Sequence, residues 1–125
     1  LLKSVLTMLL ALFLLLGATF AEQITVQNTF DDFCTVIEQT QSKLSGENPS
    51  KLDADALEDF WLDKKQRLHA WIPHAEIKEI ELWVSECVAY TQIEDFEEAY
   101  TKLDVLKTLA MQIPKNFSLK LENLF

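Results

Sequence analysis

The chain has 125 residues, room for one small domain, and its 20 acidic against 11 basic side chains give a formal charge of −9. That balance argues against binding nucleic acid through a basic face. Two glycines and three prolines are too few for a turn-rich all-β fold or a glycine-cradled phosphate site.

The apolar residues are unevenly spread. Leu1 to Ala21 stands apart, with Lys3 as its one charge and 18 uncharged residues from Ser4 to Ala21. Leu12 to Leu16 reads Leu-Phe-Leu-Leu-Leu. Two readings compete for this segment. A retained anchor needs about 20 apolar residues to cross the hydrocarbon core, and this run is near the lower limit. A cleaved signal peptide needs a basic start, an apolar stretch and small residues before the cut. Thr19 and Ala21 would fill those places for cleavage after Ala21. The retained anchor is the favoured reading. Lys3 precedes the run and Glu22 follows it, so the positive end stays in the cytoplasm and residues 22–125 are expected outside.

Residues 22–125 carry a helical pattern. Phe30, Phe33, Cys34, Ile37 and Leu44 follow three-, four- and seven-residue spacings. Thr29 and Asp32 have the spacing of a capping box, which predicts a helix start there. Ser45-Gly46-Glu47-Asn48-Pro49 predicts its end. A second helix is expected over 53–72, with Leu57, Phe60, Trp61, Leu68, Trp71 and Ile72 as its apolar stripe and Pro73 as its stop. A third runs over 74–91 with Ile77, Ile80, Val84, Cys87 and Val88 inward. The fourth starts with Asp95 as N-cap and Glu98 three residues on. It carries Phe96, Ala99, Tyr100, Leu103, Leu106, Ala110 and Ile113, and is expected to end before Pro114. The tail from Phe117 to Phe125 is too apolar to hang free and should dock on the domain. The predicted class is all-α: an N-terminal anchor or signal helix over 1–21, then a small four-helix up-down bundle over 22–125 built from two helical hairpins.

The C-terminal half also carries a family likeness. His74-Ala75-Glu76-Ile77, Ile80-Glu81, Leu103 with Leu106-Lys107, Ile113-Pro114, and Leu119 with Glu122-Asn123-Leu124 resemble the clostridial-type, membrane-anchored family known as domain of unknown function 4363. The likeness implies a Gram-positive anaerobe, one anchor and an exported helical domain. It implies no catalytic role, and it makes His74, Glu76, Glu122 and Asn123 the polar positions of interest.

Candidate chemistry is sparse. His69 and His74, with Glu76 and Glu79, offer metal-ligand types, but Pro73 breaks the helix between the histidines, and no His-Glu-x-x-His or Cys-x-x-Cys motif is present. No metal and no cofactor is expected. His74 is instead placed to cap the hairpin at Pro73. The pairs Asp31-Asp32, Glu58-Asp59, Glu94-Asp95 and Glu97-Glu98 read as solvated faces and helix starts, since adjacent helical residues point about 100° apart. With no nucleophile or phosphate-loop motif, no enzyme is expected. Cys34 and Cys87 lie on diagonal helices at heights about 10 Å apart. That exceeds the Cα separation of about 7 Å that a disulfide allows, so free thiols are expected. Trp61 and Trp71 fit a core stripe, and Trp83, beside the inward face, is the best single contact residue for a partner. The functional expectation is a non-catalytic interaction or structural module of the cell envelope, tethered by its N-terminal segment and binding another envelope or membrane protein. The alternatives are an exported small-ligand or metal binder using the His74 hairpin, and release after Ala21.

Overall fold

The computed structural model describes residues 1–124, with side chains through Leu119. Four helices account for the described fold: α1 Leu2–Leu44, α2 Asp55–Leu68, α3 His74–Gln92 and α4 Phe96–Leu124. The all-α bundle expected from the apolar periodicity is the observed architecture. Each helix packs on its two neighbours in a ring, α1 on α2, α2 on α3, α3 on α4 and α4 back on α1; among the described residues the diagonal pairs do not meet. Burial of apolar stripes drives this closure, as short helices gain most of their stability from packing. Phe30, Phe33 and Ile37 of α1, Leu57 and Trp61 of α2, Ile77, Ile80 and Val84 of α3, and Ala99, Leu103 and Leu106 of α4 meet in one core.

Three boundaries differ from the sequence expectation. No helix starts at Thr29, because α1 runs unbroken from Leu2 to Leu44. The Thr29 hydroxyl donates to the Thr25 carbonyl, 2.8 Å away, one turn back inside the helix, instead of capping a new one. Nothing between Ala21 and Thr29 breaks a helix, so the apolar segment and the first bundle helix fuse. The expected boundary at Ala21 therefore falls within a helix. α2 is shorter than expected: it ends at Leu68, and residues up to Ile72 form a turn in which the amides of Trp71 and Ile72 donate to the Leu68 carbonyl. Trp71 is consequently partly exposed and outside the core stripe, while Trp61 is buried as expected.

The third difference is largest. α4 does not stop before Pro114; the proline lies buried inside a helix that continues to Leu124. Proline removes one helical donor and crowds the carbonyl four residues back. Packing on α1 compensates. Phe117, past the proline, packs against the core. The Ser118 hydroxyl accepts a 2.7 Å hydrogen bond from Nε2 of the Gln23 side chain. Phe117 and Ser118 at the start of the expected tail thus dock on the molecule, but within a helix; the side chains from Lys120 on lie outside the described residues.

The remaining ends follow local chemistry. α1 stops at Leu44, two residues before Gly46, with Lys43 in its last turn. Asp95 caps α4 as expected, its carboxylate accepting from the Glu98 amide at 3.3 Å. The α3–α4 corner is a Schellman turn. The Asp95 amide donates to the Tyr90 carbonyl, the Glu94 amide donates to the Thr91 carbonyl, and Glu94 sits at φ 63°. The buried polar groups Thr40, Thr91 and Gln41 are satisfied by the carbonyls of Val36 and Cys87 and by Asp104, respectively.

Candidate functional site

Antiparallel pairing gives the bundle two ends. Gln41 bonds Asp104 at 2.8 Å, Lys107 pairs with Glu38 at 3.0 Å and Gln23 bonds Ser118, so α4 runs down α1 from its C-terminal end towards its apolar half. The end near Ala21 holds the α2–α3 hairpin and the close of α4. The far end holds the 45–54 loop and the α3–α4 corner, which touch through Lys51 and Glu94 at 3.9 Å.

At the near end His69 and His74 are both exposed, their rings stacked with centroids 5.5 Å apart. His74 makes no cap: Pro73 occupies the N-cap position and no side-chain capping bond forms. The imidazole lies on its neighbour instead, because a residue at the first helical position cannot fold back onto the amides that follow as an N-cap side chain does. Glu76 is half-buried in the first turn of α3. Among the described residues no group of three or more His, Cys, Asp or Glu side chains is arranged to hold a metal ion. The side chains of Glu122 and Asn123 lie outside the described residues.

Trp83 sits on the α3–α4 seam, half-buried. The Lys102 ammonium lies 5.3 Å from its ring centroid and 5.7 Å from that of Tyr90, and 3.6 Å from the Glu86 carboxylate. The cation therefore covers one face of the indole. The shielded Trp83 Nε1–H has no acceptor among the described residues. Trp83 and the His74 hairpin are not brought together, since Trp83 lies midway along α3.

Both thiols are free, Cys87 buried and Cys34 half-buried. Burial pushes the Cys87 thiol up to about 11. Burial, then the neighbouring Asp31 and Glu38 carboxylates, raises Cys34. The hydrogen bond to Glu38 and its charge raise Lys107. These shifts disfavour thiolate chemistry at either cysteine.

The far end carries features that periodicity did not reveal. Leu52 and Ile93 are each 71% exposed on the two adjoining loops. Beside them an open groove of about 490 Å³ is lined by Leu44, Ser45, Phe96, Glu97, Tyr100 and Thr101. Tyr100, expected in the core, borders this groove and is 38% exposed. Charge is segregated as well: residues 43–60 and 90–100 hold nine acidic and two basic side chains, whereas 20–26, 67–79 and 113–122 hold four of each. The acidic pairs of the sequence were the legible part of this end. The exposed aliphatics sit in loops, where no period marks a face.

α1 supplies the other large apolar surface. Its most apolar 18-residue window has a mean hydropathy of 2.3, and none of it is buried. By length and composition this half of α1 is able to cross a membrane, and a signal sequence has the same character. Neither curated proteins nor solved structures provide a match to the chain. A family model covers nearly all of the bundle and the close of the apolar segment, and the chain belongs to that family: Domain of unknown function (DUF4363), matched over residues 20–124.

Proposed function

We propose that this chain is a non-catalytic, membrane-anchored helical module on the outer face of a Gram-positive cell membrane, where it binds another envelope protein. The observation that carries the reading is α1, one helix that is bare and apolar over its first half and core-forming over its second. The distribution of charge supports the outward orientation. Lys3 lies ahead of the apolar run, while the acids begin at Glu22.

The partner surface is the far end of the bundle. Exposed apolar residues inside a charged rim have the composition of a protein contact. Leu52, Ile93 and the Phe96–Tyr100 groove supply the apolar part, and the nine acids around them select a partner with a basic rim. Affinity capture from crosslinked, solubilised membranes tests this reading. The native chain should recover a discrete envelope protein, and the doubly substituted Leu52→Asp, Ile93→Asp chain should lose it while keeping its helical content. Equal recovery by both chains would remove the far end as the contact.

A further inference from the structure

We infer that the C-terminal end of α4, from Leu119 onward, is a second membrane contact: an interfacial helix end held beside α1 in the lipid headgroup layer. The inference rests on the anchor reading and deepens it. Its first ground is length. The uncharged run Ser4–Ala21 has 18 residues. At about 1.5 Å per residue it spans about 27 Å, short of the hydrocarbon core of about 30 Å. The bundle therefore has no stand-off, and the turn from Glu22 to Thr25 falls at the membrane boundary.

The second ground is register. Gln23 bonds Ser118, which brings α4 to that same depth. From Ser118 the α4 backbone continues six residues, to Leu124, in the direction antiparallel to α1. That is about 9 Å further towards the bilayer, alongside the last turn of the apolar run. The third ground is surface chemistry. Leu119 is 57% exposed, and Phe20 and Ile24 of α1 are exposed at neighbouring depths. The sequence adds Leu121, Leu124 and Phe125, with Lys120 and Glu122 beside them and Lys115 one turn before. Aliphatic and aromatic side chains with interspersed lysines suit a headgroup layer, where lysine stems lie on apolar surface and the ammonium reaches phosphate. The near end also lacks the acidic excess that an anionic lipid surface would repel.

The test uses the native chain in vesicles of phosphatidylethanolamine and phosphatidylglycerol, doped with a phospholipid bearing a photoactivatable diazirine near its ester linkage. After irradiation, adducts are mapped by peptide mass. The expected result is adducts on residues 4–21 and on 116–125, with none on 44–54. Leu119→Asp should cut the 116–125 adducts several-fold and leave those on 4–21 unchanged. Adducts on 4–21 without any on 116–125 would overturn this inference and leave the anchor standing. Adducts on neither segment would overturn both.

Discussion

Cys87 shows how burial converts a titrating group into a pH-dependent stability. Its thiol is buried, and its folded value is raised from 9.0 to about 11. As pH rises through 9 the unfolded chain loses this proton while the folded chain keeps it. The stability present below pH 9 is therefore lost progressively up to about 11. Two pH units correspond to about 2 to 3 kcal/mol. The stability difference between the native chain and Cys87→Ala, measured by denaturant unfolding, should narrow by about 2 kcal/mol between pH 8 and pH 11. A difference that stays constant would place the thiol in a wetter site. At Glu94 the issue is backbone. With φ at 63° it occupies the left-handed position of the α3–α4 turn, where a side chain is strained and glycine is not. Its ion pair with Lys51 is long and exposed and offsets little. Glu94→Gly should raise the unfolding free energy by about 0.5 to 1 kcal/mol. A loss in thermal unfolding would show that the charge matters more than the strain.

The helices themselves divide into those legible from sequence and those governed by contacts distant in sequence. α3 was legible at both ends, because Pro73 fixes its start locally and the residues around Glu94 turn the chain. The Asp95 cap was legible for the same reason. Thr29 misled because a threonine one turn inside a helix bonds the preceding carbonyl as readily as it caps a new start. Which it does is decided by whether the upstream residues are already helical. Pro114 misled in the opposite way. Its cost, about 3 kcal/mol in a helix interior, is local, while its compensation comes from Gln23 and the α1 surface about ninety positions away. Pro114→Ala restores a helical donor and loses part of one buried ring. The donor outweighs the ring, so the substitution should raise stability by about 1 kcal/mol in chemical unfolding, with slower amide exchange beyond residue 114. A fall would mean that the ring is an essential part of the α1–α4 seam. Of the candidate site, the acidic far end was visible as charge pairs. The apolar tip at Leu52 and Ile93 was not, since loop residues carry no period. The His74 cap was read from crowding at Pro73 and gave way to stacking on His69, a contact that spacing alone does not fix.

At the scale of the molecule, one continuous helix joins the proposed anchor to the bundle. α1 is uninterrupted from Leu2 to Leu44, so no loop separates the apolar segment from the bundle. With the apolar half of α1 in a membrane, as proposed, the acidic, apolar-tipped end would stand at the greatest distance from the bilayer and the close of α4 would lie at its surface. The central requirement of this arrangement is that the apolar half of α1 is retained. Alkaline-carbonate extraction of cell membranes, followed by N-terminal sequencing of the recovered protein, tests it most directly. The account predicts that the protein stays in the pellet and carries residues ahead of Glu22. Recovery from the medium with Glu22 as the first residue would contradict it.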